Sequence, residues 1–226
     1  MKKIVCALIA LMLTLPMAAL ASDLEITQEA FYVTPYSNYF AGEIFCEITN
    51  TTDRIIEITG GTYELFGQDG ASIDSGSIYG ITPDTIRPGE HAYIYLTKSV
   101  KDATSADYIK SYSVNVVGKT AAEKEPEYPL SDVHMEEIEG RTRRMKLVAT
   151  VTNDTDEPIG DITVVFAVYD AEGALLYAGV TSSLGLSLTP GSSGIMDTEL
   201  DRDILTALAD QGKEPATVVA VAKGLW

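Results

Sequence analysis

The stretch "ITNTTDRII", residues 48–56, returns almost unchanged as "VTNDTDEPI", residues 151–159. The same shift of 103 positions (48 to 151) also aligns the apolar residues that precede the two stretches and the aromatic runs 63–66 and 166–169 that follow them. A register held over so many positions predicts two copies of one unit of about 100 residues.

Each copy has the pattern of short strands separated by turns. In the first copy, every second residue (Ile44, Cys46 and Ile48) is apolar, which is the two-residue period of a half-buried strand. The strand ends at Asn-x-Thr-Asp, whose short polar side chains favour a turn. Further short strands follow, and the only helix we expect spans residues 201–212. The predicted class is all-β, with two tandem immunoglobulin-like antiparallel β-sandwich domains.

The N-terminus has the pattern of a signal peptide. Lys2 and Lys3 precede an apolar run that is too short to span a bilayer, and a small-x-small cleavage site ends at Ala21. We therefore expect a secreted or extracytoplasmic protein without membrane insertion after cleavage. The predicted divisions are a signal peptide (1–21), a first domain (22–118), a linker (119–132) and a second domain (133–226).

One strand carries a resemblance to a known family. Residues 166–170, "FAVYD", follow an Asn-ending strand and precede a Pro-Gly turn, and together these features resemble the FxLYD domain. The corresponding stretch of the first copy, residues 63–67, departs from that motif at three of its five positions. The resemblance implies a small extracytoplasmic β-sandwich of bacterial or archaeal type, and it brings no catalytic residues with it.

Composition excludes several function classes. The chain has 16 basic and 33 acidic residues and a formal charge of −17, so nucleic acids and anionic membranes would repel it. It has no HExxH, GxSxG or CxxC motif and no phosphate-binding glycine loop. We therefore expect that the protein is not an enzyme.

The chain has two cysteines, and loss of Cys6 with the signal peptide would leave Cys46 alone. Cys46 is predicted to be a small buried residue rather than a nucleophile.

Five aromatic residues near the start of the first domain form the first candidate site. Exposed aromatic side chains with polar tips provide platforms for sugars or peptides. The alternative is that they cap a sandwich core or pack between the domains. The residues are Phe31, Tyr32, Tyr36, Tyr39 and Phe40.

A basic cluster is the second candidate site, for an anionic group or an acidic partner. It contains Arg141, Arg143, Arg144 and Lys146. The alternative is structural: a two-residue turn at 139–140 would place Glu136 opposite Arg143 across a hairpin.

An acidic turn in the second copy is a candidate calcium site, because Asp154, Asp156 and Asp161 supply the oxygen ligands that calcium prefers. Their spacing does not fit an EF-hand, and the alternative is turn formation. No other cofactor is expected. Asn50 and Asn153 both begin an N-glycosylation pattern, but their equivalent positions favour a role in the turn.

These features together predict a secreted, non-enzymatic binding or spacer module. Its partner would be an extracellular or envelope protein or glycan. Two alternatives remain open. One is a structural subunit that self-associates through exposed sheet edges. The other is a hydrolase with an unrecognised carboxylate pair.

Overall fold

The computed structural model describes residues 24–123, 126–140, 144–200 and 202–224. The first half consists of strands β1 (Leu24–Tyr36), β2 (Tyr39–Asn50), β3 (Ile56–Phe66), β4 (Ser72–Ile78), β5 (Ile81–Thr82), β6 (Thr85–Ile86), β7 (His91–Val100) and β8 (Ser111–Thr120). The second half consists of β9 (Glu127–Tyr128), β10 (Leu130–Glu137), β11 (Met145–Thr152), β12 (Ile159–Tyr169), β13 (Leu175–Leu188), β14 (Ser193–Leu200), helix α1 (Arg202–Asp210) and β15 (Thr217–Gly224).

Each half forms an antiparallel sandwich. In the N-terminal sandwich the sheet β1-β2-β7-β5 packs against β3, which pairs with β4 and β6 on one side and with β8 on the other. In the C-terminal sandwich β10-β11-β14 packs against β13-β12-β15-β9. The pairing β1-β2-β7 has its counterpart in β10-β11-β14, and β4-β3-β8 has its counterpart in β13-β12-β15. The predicted all-β class is confirmed.

The segment expected to be a linker, residues 119–132, contains ordered strands. Strand β8 extends into it as far as Thr120, and both β9 and the start of β10 lie within it. Tyr128 of β9 is paired with Ala222 of β15. Residues 119–120 therefore belong to the N-terminal sandwich and residues 127–132 to the two sheets of the C-terminal sandwich. The predicted signal peptide lies outside the described residues. No helix among the described residues is long and apolar enough to span a membrane.

The repeated sequence forms the same side-chain clamp in both halves. Asn153 is fully buried, and its Nδ2 donates to the carbonyl oxygens of Glu157 and Leu188, each at 2.8 Å. Its Oδ1 accepts from the Thr155 backbone N–H at 3.0 Å and hydroxyl at 2.7 Å. Asn50 makes the equivalent four bonds in the first half. The repetition thus reflects a turn that both sandwiches need.

We predict that Asn153→Ala lowers the free energy of unfolding by about 2–4 kcal/mol, because buried hydrogen-bonding groups lose their partner. Urea denaturation followed by circular dichroism measures this change. Asp154→Ala, at an exposed position of the same turn, should change stability by less than about 0.5 kcal/mol. Equal effects of the two substitutions would contradict the clamp.

Strand β2 is buried on both faces, so the prediction of a half-buried strand was wrong for it. Ile44 and Cys46 point into the core of the N-terminal sandwich as expected. Phe45 and Glu47 on the opposite face are also buried, with 1% and 6% of their surface exposed. The reason is that this outer face packs against the C-terminal sandwich.

Strand β12 supplies the other side of this contact. Val164, Phe166 and Val168 face the core of the C-terminal sandwich, whereas Ala167 and Tyr169 face the junction. Buried residues from both sandwiches and from helix α1 form one apolar cluster, the junction cluster. It contains Ala30, Tyr32, Phe45, Tyr93, Val165, Ala167, Tyr169, Leu175, Leu176, Ala178, Leu200, Ile204 and Leu208.

The predicted helix is confirmed as α1. Ile204 and Leu208 are its buried residues, and Leu205 packs partly against the same cluster. The helix therefore has one apolar face, and that face closes one side of the junction.

Candidate functional site

A buried hydrogen-bond network joins the two sandwiches. The Tyr169 hydroxyl donates to Glu47 Oε2 at 2.5 Å and lies 3.1 Å from the Tyr93 hydroxyl. Glu47 Oε1 accepts from the Thr27 hydroxyl at 2.8 Å. Burial, and then the bond to Glu47, raise the pKa of Tyr169 well above its ordinary value, so this hydroxyl remains a donor.

Two further polar contacts cross the junction. The backbone N–H of Leu175 donates to Gln28 Oε1 at 2.8 Å. Lys223, which is 7% exposed, forms an ion pair with Asp84 at 2.9 Å. Together with the apolar cluster, these contacts hold the two sandwiches in one fixed arrangement.

We predict that Tyr169→Phe lowers the free energy of unfolding by about 1–3 kcal/mol, because the buried Glu47 carboxylate loses one of its donors. Chemical denaturation measures this loss. Tyr79→Phe is the control, since Tyr79 is 91% exposed and should tolerate the change. An unchanged midpoint for Tyr169→Phe would mean that the network adds nothing to stability.

A cleft of about 280 Å³ opens beside this network. The N-terminal sandwich forms one wall through β1, β2 and β7, and the C-terminal sandwich forms the other through β13, β14 and α1. The residues lining it are Thr34, Pro35, Tyr36, Glu43, Phe45, Tyr95, Thr97, Tyr177, Glu199, Asp203 and Ile204.

Three tyrosines give the cleft aromatic walls. Tyr36 is 53% exposed and Tyr95 is 43% exposed, so both rings have surface available for a ligand. The Tyr177 ring is held against Phe45, with 4.9 Å between the ring centroids. A Cβ atom at Gly179 would lie 2.7 Å from Tyr177 Cε1, so glycine at that position makes room for the ring.

Three carboxylates also line the cleft. Glu43 is 8% exposed, and its two oxygens accept from the hydroxyls of Thr34 at 3.0 Å and Thr97 at 2.5 Å. Glu199 forms an ion pair with Arg144 at 2.9 Å. Asp203 lies in the first turn of α1. These groups give the cleft several fixed hydrogen-bond acceptors.

The aromatic candidates are distributed over three environments. Phe31 and Phe40 pack against the core of the N-terminal sandwich, and Tyr32 is buried in the junction cluster. Tyr39 is partly buried opposite Tyr36 at the β1–β2 hairpin. Tyr36 is the member of the group that lines the cleft. The alternative uses, capping a core and packing between domains, thus apply to Phe31, Phe40 and Tyr32.

The basic candidates are not in the arrangement that we expected. Glu136 is paired with Lys146 rather than with Arg143, because the hairpin is longer than a two-residue turn: the Ile138 N–H donates to the Arg144 carbonyl. Arg144 reaches the edge of the cleft through its ion pair with Glu199. Arg141 and Arg143 lie outside the described residues.

The acidic candidates are not assembled into a ligand set. Asp154 and Asp156 are exposed in the turn, and Asp161 adopts a positive φ of 48° within β12. Among the described residues, no group of three or more His, Cys, Asp or Glu side chains is placed to hold a metal ion. The geometry gives the calcium hypothesis no support.

Sequence reasoning missed most of the cleft. Tyr95, Tyr177, Glu43, Glu199 and Asp203 come from five different elements, and each has the local pattern of an ordinary strand or helix residue. One signal was available: the continuous apolar run 164–169 is typical of a strand covered on both faces, and it indicates that β12 packs against something beyond its own sandwich.

Cys46 is fully buried, as expected. Burial, and secondarily the Glu29 carboxylate, raise the pKa of its thiol to about 12. Since the thiolate is the reactive form, burial and this raised pKa both disfavour a nucleophilic role at neutral pH.

We predict that Cys46 of the folded protein does not react with Ellman's reagent at pH 8, where roughly one thiol in 10,000 would be ionised even with access to solvent. The measurement uses a Cys6→Ser background, so that Cys46 is the single thiol. In denaturant it should react completely. Rapid reaction of the folded protein would show that β2 opens readily.

No protein-family model matches the chain, and no curated protein matches it either. Solved structures with some likeness include red sea bream transglutaminase, at 12% identity and a TM-score of 0.23 over 77% of this chain and 27% of that one. A second is a beta-glucuronidase from glycoside hydrolase family 2, at 12% identity and a TM-score of 0.22 over 70% and 20%. A third is the CBM22-1–CBM22-2 tandem domain of Paenibacillus barcinonensis Xyn10C, at 10% identity and a TM-score of 0.18 over 90% and 86%. Likenesses of this size carry no functional argument.

Proposed function

We propose that the protein is an extracytoplasmic, non-enzymatic binding module that holds a carbohydrate in the cleft between its two sandwiches. The observation that carries this proposal is the cleft itself, with exposed tyrosine rings beside fixed carboxylates and hydroxyls. The signal-peptide pattern and the resemblance to FxLYD domains support the location.

The composition of the cleft matches the chemistry of a sugar ring. A sugar has an apolar C–H face, which stacks on an aromatic ring, and hydroxyl groups around its edge, which donate and accept hydrogen bonds. Tyr36 and Tyr95 supply the rings. Glu43, whose position is fixed by two threonine hydroxyls, and Glu199 supply acceptors.

The rigidity of the junction favours binding. A site assembled from two freely moving domains would lose entropy whenever a ligand fixed them. Here the Tyr169–Glu47 bond and the apolar cluster already hold both walls in place. The ligand therefore meets a preformed cleft, which is the arrangement expected of a binding site on rigid elements.

The proposal predicts saturable binding of an oligosaccharide. The purified protein is titrated calorimetrically with a panel of soluble neutral and acidic oligosaccharides and cell-wall glycan fragments. Tyr36→Ala and Tyr95→Ala should each weaken binding at least about tenfold, because each removes a stacking surface. Tyr108→Ala is the matched control, since Tyr108 is also exposed but lines a different depression.

Two results would overturn this function. If no oligosaccharide binds, or if Tyr108→Ala weakens binding as much as Tyr95→Ala, the cleft is not a sugar site. If the bound glycan is cleaved, detected as new reducing ends, the protein is a hydrolase. A pair of carboxylates suffices for that chemistry, and the cleft contains three.

A further inference from the structure

Strand edges in this protein are protected by charge at most places where they are exposed. An open edge presents unpaired backbone groups to other chains, and acidic or basic side chains discourage that pairing. The long edge strands β1, β10 and β14 all carry acids. These are Glu25, Glu29, Asp132, Glu136, Glu137, Asp197 and Glu199.

Two long edge strands depart from this rule. Strand β13 has no charged residue in its whole length, and residues 111–118 of β8 have none either. The absence of charge at the start of β13 has a clear reason. Leu175, Leu176 and Ala178 are buried in the junction cluster, so the N-terminal sandwich covers this part of the strand.

Strand β8 has no such cover among the described residues. It pairs with β3 on one side, and no described strand pairs with it on the other. Ser113, Asn115 and Val117 are exposed, and Val117 has 50% of its surface in solvent. The single charged residue of the strand, Lys119, pairs with Glu57 at 3.1 Å.

The C-terminal sandwich shows what occupies this position of the fold. Strand β15 is the counterpart of β8, since each pairs with the central strand of its sheet. On its outer edge β15 receives β9 in antiparallel pairing, through Ala222 with Tyr128 and Lys223 with Glu127. At the end of β15, this edge of the sandwich therefore accepts a further antiparallel strand of two residues.

We propose that β8 pairs antiparallel with β8 of a second copy of this chain, forming a twofold symmetric dimer. Two molecules with a formal charge of −17 repel each other over most of their surfaces, and this uncharged edge is where the repulsion is smallest. The edge has no acidic side chain that would select a foreign cationic strand.

Self-pairing also satisfies the side chains. In a register centred on Asn115, that residue faces itself across the twofold axis, and Ser113 faces Val117 of the second copy. No like charges then stand opposite each other, and the two Lys119 residues lie at opposite ends of the pair. The sheets β4-β3-β8 of the two copies become one continuous six-stranded sheet.

Disulfide trapping tests the register. In a Cys6→Ser background, Asn115→Cys should form a covalent dimer under mild oxidation, because facing Cα atoms in antiparallel strands are about 4.5–5.5 Å apart, within disulfide range. Ser77→Cys is the control, since Ser77 is exposed on β4 at the opposite edge of the same sheet. Cys46 is buried and should not contribute. Equal trapping of both variants would overturn the proposal.

Sedimentation equilibrium tests the dimer without a cross-link. The native chain should dimerise reversibly, and more tightly at higher salt, which screens the net negative charge. Asn115→Lys places two positive charges face to face and should weaken dimerisation at least tenfold, whereas Ser77→Lys should not. A monomer at every concentration and salt, or a dimer unaffected by Asn115→Lys in a variant with native circular dichroism, would refute self-pairing. Tyr95→Ala should leave the dimer intact, so this result is independent of the carbohydrate proposal.

Discussion

The rest of the structure depends on the bond between Tyr169 and Glu47. A carboxylate that is buried between two domains is costly unless donors satisfy it, and here the donors come from both sandwiches. Separating the sandwiches would expose the apolar cluster and break this network. The two halves therefore behave as one body, and the cleft, whose walls belong to different halves, keeps its shape because the junction does.

The two sandwiches share their inner faces and differ on their outer ones. Both have the Asn clamp and the same order of strand pairing. On β12 the outward residues Ala167 and Tyr169 are buried at the junction, whereas the corresponding residues of β3, Glu64 and Phe66, are partly exposed. Because the outer surfaces of the two halves differ, one half can dock onto the other without the same contact repeating between further copies in an open-ended chain.

Much of the fold was predictable because its signals are local. Alternation, turn residues and the apolar face of α1 all lie within a few residues of each other. The junction was harder, since Glu47 and Tyr169 are separated by 122 positions and a glutamate on a strand is normally exposed. The cleft was harder still. It draws residues from six elements, and Tyr36 alone among them was a candidate, because clustered aromatics are visible in sequence whereas lone tyrosines such as Tyr95 are not.

The two proposed surfaces lie on different sheets of the N-terminal sandwich, and this separation has a functional consequence. The cleft is built on the outer face of β1-β2-β7, whereas β8 is at the edge of the opposing sheet. Strand pairing through β8 would leave the cleft open, so a dimer would present two clefts in a fixed geometry. For a ligand with repeating units, such as a polysaccharide, the second contact is then intramolecular, and overall binding can exceed that of one cleft by about 100-fold or more. Weak single sites on a rigid dimer would thus suffice for firm attachment to a polymeric surface.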